Sequence, residues 1–452
     1  MPYKAVNSIE VLCWDTPVGA LALDDRYGVY AFEYYESFRQ SGWELSPLLL
    51  PGSTQGAAVF PNLSRDTYYG LPAFIADSLP DAFGNMLIDS WMAAKGITKQ
   101  QITPLDRLAY LGKRGMGALE FRPAARRETT KPSTLEMANL IEAARQALII
   151  NLRPDEQNPT IAIASTTTDQ NNVKQDELSQ LVAIGTSAGG ARAKAVVGYS
   201  EEKDDFVSGQ LALPKGYEPW IIKFDLAALE TAGSHDRRKP YGRIEYAYYL
   251  MALDAGIIMQ PCKLYEAAGR AHFMTRRFDR TEAGKKLHMQ TLCAMAALDY
   301  NVRDTNEYHQ AFMTIEQLGL GYAATDELFR RMVFNVAMAN NDDHTKNLSF
   351  LMAPDGMWHL APAYDITHAY NAKGLWTSRH LMGVNGAYSS IKRSDLLAVA
   401  RRYHVSSPEE QLDAILVVAA NWHQYAAEAH IPEETAEAIA CDINHCSALL
   451  AV

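Results

Sequence analysis

The sequence predicts an α+β chain of two lobes, a mixed, β-rich lobe first and a mostly helical lobe after it. Three observations predict it. Short apolar and aromatic runs broken by turn signals fill the first part of the chain. Helix-period apolar runs dominate after about residue 280. Between them, residues 123–134 and 151–177 are polar and loop-like, so the N-terminal segment is set apart from the rest of the chain.

Each element has a local reason. Residues 11–14 and 18–24 read as strands split at Thr16-Pro17, and 29–34 as a third strand after the turn signal Asp24-Asp25-Arg26-Tyr27-Gly28. Residues 85–95 and 104–111 read as helices ended by Gly96 and near Gly112, and 115–121 as a return strand. Ser133 and Glu136 have the spacing of a capping box, ahead of a helix reaching about residue 149. Part of 151–177 is expected to be poorly ordered. Residues 184–225 hold two or more strands, 195–199 and 220–224 among them; a helix over 242–255 and a strand over 272–278 come next. Residues 326–339 place apolar side chains at 328, 329, 332, 333, 336 and 337, one face of a helix. Ser407-Pro408-Glu409-Glu410 reads as a helix start, with an N-cap, proline at the first position and acids in the first turn. The expected divisions are 1–122, a linker with one helix over 123–180, a nucleotide-binding part over 181–280 and a helical lobe over 281–452.

Composition narrows the function classes. The 452 residues are 48% hydrophobic and 21% charged, ordinary for a soluble globular chain. No apolar run reaches the roughly 18 residues of a membrane span, and the first residues lack the basic start and apolar core of a signal peptide. The five cysteines are scattered; Cys441 and Cys446, with His445 beside them, read as ordinary thiols of a reducing cytosol. The net charge of −11 argues against nonspecific nucleic-acid binding by the chain as a whole.

The chemistry lies in Asn341-Asp342-Asp343-His344-Thr345-Lys346-Asn347 and in Ala363-Tyr364-Asp365. Asp-x-x-x-x-Asn with a further Asp after it is the order that phosphoryl transfer from ATP needs. Asp342 is the candidate base for an acceptor hydroxyl, and Asn347 and Asp365 offer the hard oxygens that Mg2+ takes. Helix ends and turns also favour Asn and Asp, so the pattern gains force from its companions. Lys223 lies between β-formers, placed to reach nucleotide phosphates, with Glu245 on the next helix as its partner. Ser187 to Lys194 is a glycine-containing loop whose amides at Gly189, Gly190, Ala191, Arg192 and Ala193 could cover phosphates, with charge from Arg192 and Lys194. It is not a P-loop. His344 sits under the nucleotide or satisfies a loop hydrogen bond; a zinc cluster with Asp342, Asp343 and His359 lacks the usual ligand spacing.

These motifs, together with residues 74–84 (Phe-Ile-Ala-Asp-Ser-Leu-Pro-Asp-Ala-Phe-Gly), Arg277-Phe278-Asp279-Arg280 and Leu287-His288-Met289-Gln290, resemble the HipA family, the serine/threonine kinase toxins of HipBA-type toxin–antitoxin modules. The resemblance covers nearly the whole chain and implies a two-lobed, protein-kinase-like fold. It implies that Arg276, Arg277 and Phe278 form the hinge at the adenine, that Asp279 lies near the ribose, and that His344, Lys346 and Tyr364 belong to the nucleotide site. It implies autophosphorylation at Ser187 as an off-switch. The implied partners are a HipB-like helix-turn-helix antitoxin, operator DNA mainly through that antitoxin, and a protein substrate among the aminoacyl-tRNA synthetases, glutamyl-tRNA synthetase first. The loop departs from many relatives at Arg192 and Ala193. Two other readings are a small-molecule phosphotransferase, which shares the Asp-x-x-x-x-Asn then Asp spacing, and a catalytically weak corepressor acting with the antitoxin.

Overall fold

The structure, a computed structural model, describes residues 5–93, 96–124, 134–152, 185, 192–210, 212–226 and 239–452. The chain divides into two compact units, each drawn from three stretches. Unit 1 takes Met1–Phe38, Ser78–Gly242 and Lys263–Lys286; unit 2 takes Arg39–Asp77, Arg243–Cys262 and Leu287–Val452.

Unit 1 is built on two antiparallel sheets. The first has the order β3-β2-β1-β4, from β1 (Ser8–Cys13), β2 (Thr16–Asp24), β3 (Val29–Tyr34) and β4 (Leu119–Arg122). The β1–β2 turn is Trp14-Asp15, two residues before the Pro that reads as a breaker: both take left-handed φ, +50° and +60°, as a two-residue hairpin requires. The sequence extends β4 back to residue 115, but Gly117 has φ +74° and its N–H is donated to Asp279, so the strand starts at Leu119.

Between β3 and β4 in this unit lie α4 (Ala82–Ala93), begun by Asp81, which accepts the Gly84 N–H at 2.6 Å, and α5 (Pro104–Leu111), closed by a reciprocal capping box between Thr103 and Asp106. The short helices α1 (Glu36–Arg39), α2 (Arg65–Tyr68) and α3 (Ala73–Ala76) precede them in the chain. The second sheet has the order β5-β7-β6-β8-β10-β9, from β5 (Thr134–Leu135), β6 (Lys194–Ser200), β7 (Asp205–Ser208), β8 (Glu218–Lys223), β9 (Cys262–Ala267) and β10 (Arg270–Arg276). Phe83, Leu87 and Ile88 of α4 pack with Leu140 and Ile141 of α6 (Met137–Leu152) over Ala195, Val197, Trp220, Ile222 and Met274 of that sheet. The expected capping residue Ser133 lies outside the described residues, as do 153–184, which take in most of the stretch expected to be poorly ordered.

Unit 2 is mostly helical. α7 (Tyr241–Asp254) enters it at Arg243. α8 (Leu292–Met295), α9 (Tyr308–Gln317) and α10 (Gly321–Ala337) come next, then α11 (Arg393–Arg402), α12 (Pro408–Ala420), α13 (Trp422–Glu428) and α14 (Glu433–Leu450). A three-stranded sheet, β11 (His288–Thr291), β12 (Ser349–Met352) and β13 (Trp358–Leu360), completes it, with β12 central. α10 buries Leu328, Phe329, Met332, Val333, Val336 and Ala337, the face that the periodicity predicts. At the start of α12 the expected N-cap fails: Ser407 takes left-handed backbone and makes no side-chain cap bond, so the start rests on Pro408 and the first-turn acids. Among the described residues no helix is long and apolar enough to cross a membrane.

Candidate active site

The end of α10 sets the geometry in unit 2. Ala339 takes φ +53°, which stops the helix and turns the chain. Asn340 and Asn341 then lie beside Ala369, and the Asn341 N–H is donated to the Ala369 carbonyl at 3.2 Å. Asp342 comes next, its side chain 48% exposed. A 3-10 turn, Thr345–Asn347, brings the Asn347 amide nitrogen back to the Asp342 carbonyl at 2.8 Å. The β12–β13 hairpin then returns the chain to Asp365, a non-glycine residue at φ +54°, backbone that costs energy and recurs at functional sites.

Asn347, Tyr364 and Asp365 line one pocket together with Asp343 and His344. Because the Asn347 nitrogen is committed to the Asp342 carbonyl, its oxygen is the end left for another partner. One amide oxygen and one carboxylate at a single pocket form the sparse, hard donor set that suits a magnesium keeping waters and phosphate ligands. Among the described residues no group of three or more His, Cys, Asp or Glu has a metal-ligand arrangement.

The neighbours of Asp342 differ from it. Asp343 is buried and accepts four hydrogen bonds: from Tyr308 Oη and His380 Nδ1, both at 2.9 Å, and from the N–H groups of Leu381 (2.8 Å) and Met382 (3.3 Å). His344 Nε2 lies 3.9 Å from an Asp342 oxygen, its ring 5.5 Å from that of Tyr300, and its buried Nδ1 has no hydrogen-bond partner. Lys346 lies 4.9 Å over the Tyr300 ring; burial opposes its charge, but Asp77 and Tyr300 more than offset that and raise its pKa. Asp77 in turn accepts the N–H and hydroxyl of Thr291, and burial raises its pKa against the pull of Lys346. Tyr364 donates its hydroxyl to the Lys346 carbonyl at 2.6 Å, and burial keeps the phenol neutral. Glu245 is buried on α7.

Unit 1 carries the residues expected to meet the nucleotide. Lys223 ends β8, half-buried, 5.5 Å from the Phe273 ring centroid. It pairs directly across the sheet with Lys194 on β6, so both lysines leave the same face. Lys194, expected to add charge at the phosphate loop, is instead buried and ion-paired with Asp81 at 3.2 Å, which neutralises one of two facing cations. Arg192 stacks on the Tyr241 ring at 3.8 Å, and the carbonyl of buried Ala193 accepts the Phe224 N–H. Ser187, Gly189, Gly190 and Ala191 lie outside the described residues.

At the expected hinge, Arg276 pairs with Glu218 at 3.1 Å, the Arg277 N–H is donated to Pro219, and Phe278 is half-buried. The side chains of Arg277 and Asp279 turn inward: Arg277 grips Asp279 through two hydrogen bonds, and Arg280 and the Gly117 N–H complete the shell. Burial works against the Asp279 charge, yet Arg277 and Arg280 outweigh it and hold the carboxyl far below the usual range. Asp279, expected near a ribose, is thus enclosed in a structural cluster.

The family comparison settles the lineage. The HipA-like C-terminal domain matches residues 186–448, more than half of the chain, and the HipA N-terminal domain matches residues 9–122. The chain belongs to the HipA family. A chain of the Shewanella oneidensis MR-1 toxin–antitoxin complex of HipA, HipB and operator DNA aligns over 98% of this HipA-family chain and 96% of its own length, with a TM-score of 0.61 and 18% identity, a likeness of fold. A putative kinase of Haemophilus influenzae is 30% identical over 105 residues, which spans 21% of this chain and 29% of that protein. The Helicobacter pylori proinflammatory kinase CtkA aligns over 52% of this chain and 88% of its own, at 12% identity and a TM-score of 0.34, too low to bear on the fold.

Sequence reading of this HipA-family chain misses the supports. His380 and Tyr308 are 37 and 35 residues from Asp343, and no local pattern links them. The buried partner of Lys194 lies in the 74–84 motif, whose Asp77 and Asp81 read from sequence only as marks of the family.

Proposed function

We propose that this HipA-family chain is an ATP- and Mg2+-dependent serine/threonine protein kinase and the toxin of a toxin–antitoxin module. The observation that carries the reading is one arrangement: Asp342 open to solvent, Asn347 fastened to its carbonyl, and Asp365 on the same pocket as Asn347. Asp342 takes the proton of an acceptor serine or threonine hydroxyl as that oxygen bonds to the γ-phosphorus. The bond from phosphorus to the β,γ-bridging oxygen breaks, and ADP leaves. Asn347 and Asp365 would hold the magnesium, which when bound supplies positive charge against the phosphates. We assign Lys223 to the α and β phosphates and the backbone at Arg276 and Phe278 to the adenine; the loop residues 189–191 that would complete the phosphate site lie outside the described residues. His344 and Tyr364 line that pocket, and Lys346 supports Tyr364 by accepting its hydroxyl at the backbone carbonyl. Lys194, Arg277 and Asp279 are left to the fold, since their charges are already paired inside unit 1.

The acceptor we favour is an aminoacyl-tRNA synthetase, glutamyl-tRNA synthetase first, with Ser187 as the self-phosphorylation site that switches the enzyme off. A HipB-like helix-turn-helix antitoxin is the partner, and the acidic chain meets operator DNA mainly through it, in the cytoplasm. The test is purified chain, unphosphorylated at the start, with magnesium and γ-labelled ATP, and then phosphosite mapping. Label on Ser187 that is absent in Asp342→Gln supports the reading; label retained in Asp342→Gln ends it.

A further inference from the structure

Asp342 is the open residue of a three-residue run whose flanks are closed. Its side chain is 48% exposed and that of Asp343 1% exposed, and Asn341 is buried. Burial alternates along residues 341–345, so Asp342 faces outward while the residues on either side of it are enclosed. Here both inward neighbours are polar, and burial obliges them to find partners.

The partners they find come largely from one stretch. Asn341 donates its amide N–H to the Thr377 carbonyl at 3.1 Å and its backbone N–H to Ala369. Asp343 takes His380 Nδ1 and the N–H groups of Leu381 and Met382. Residues 369–382 come soon after Asp365, leave the pocket and return. The fourth donor, Tyr308 Oη, accepts in turn from Asn335 Nδ2 at 2.9 Å, and the Tyr308 N–H is donated to Gly383, the residue that follows this stretch. Asp343 therefore has two donors on each oxygen, about the full capacity of a carboxylate. Although Asp343 borders the pocket, a carboxylate with all its acceptor positions filled is not placed to take a substrate proton. It can fix where the preceding residue stands.

We infer that Asp343, seconded by Asn341, is a positioning residue that holds Asp342 in place against the stretch 369–382; this rests on the kinase reading of the same site. The role differs from general support of the fold in what it predicts. Proton acceptance by Asp342 depends on sub-ångström placement, and a displacement of about 1 Å is enough to cost on the order of 100-fold in rate. Nucleotide binding draws mainly on other groups and should hardly notice.

The experiment measures phosphate transfer by the full chain, with kcat and the KM for Mg-ATP, well below the Tm of each variant and normalised to folded protein. Asp343→Asn should lower kcat by about 100-fold while KM for ATP stays within about twofold. Tyr308→Phe and His380→Gln each remove one of four bonds and should give smaller falls, again in kcat alone. A folded Asp343→Asn with kcat within twofold of the parent overturns the inference. So does a loss fully explained by less folded protein, or one matched by an equal rise in KM, since either describes a merely structural residue. If Asp343→Asn does not fold, the two milder variants decide, and unchanged kcat in both overturns the inference. A parent chain that transfers no phosphate overturns the kinase reading and this inference together. An active parent, with Asp342→Gln dead and Asp343→Asn unchanged, overturns only the inference.

Discussion

Residues 276–280 and 340–347 each present acids that read, in sequence, as parts of one nucleotide site, and the structure treats them in opposite ways. Asp279 is enclosed, gripped by two arginines and a backbone N–H, with its charge fully answered. Asp342 stands open between two enclosed neighbours. Membership of a motif therefore does not fix what an acid does. A carboxylate enclosed by donors stabilises a fold, and one whose side chain reaches solvent can exchange a proton.

The contrast is most exposed to failure at Asp342. Asp342→Gln should reduce phosphate transfer by about 1,000-fold, within the range for loss of a general base, and leave the Tm nearly unchanged. A large drop in Tm would mean that this residue too is part of the fold. The reverse is expected in unit 1. Asp279→Asn strands Arg277 and Arg280 without their anion, and breaking one partner of a buried pair costs about 3–5 kcal/mol. Denaturant unfolding should show that loss, with activity per folded molecule preserved; a lost activity at full stability would return Asp279 to the nucleotide site.

Acid tests the same contrast without touching either residue. His288, buried on β11 in unit 2, has its pKa pushed down by burial to about 4. The unfolded chain binds this proton below about pH 6.5 and the folded chain only below about 4, so the stability held by neutral His288 is whole above 6.5 and is lost as pH falls toward 4. That loss is roughly 3 kcal/mol. The Asp279 cluster shifts the other way, its carboxyl held far below the usual range, and keeps its contribution across that window. Thermal unfolding from pH 7 to 4.5 should therefore fall more steeply in the parent than in His288→Asn. Equal slopes would assign the acid sensitivity to other groups, buried His272 among them.

Much of this was legible in the sequence. The apolar period of α10 and the turn at residues 24–28 are local properties of the chain and are found where periodicity and turn chemistry put them, while the first turn of that sheet falls at Trp14-Asp15, ahead of Thr16-Pro17. Boundaries slipped where one local rule met a distant demand. β4 starts late because Gly117 serves Asp279, and Ser407 takes left-handed backbone instead of capping α12.

Periodicity, capping and motif spacing act over a few residues, so the element types and the candidates for chemistry were written in the chain itself, whereas the compact units are each drawn from three separate stretches. Which of the acids are open was settled by tertiary packing alone. Enclosure is a sum over partners far apart in the chain: Gly117 for Asp279, Asp81 for Lys194, Tyr308 and His380 for Asp343. Desolvation and hydrogen-bond saturation depend on that sum, and no short window of residues contains it.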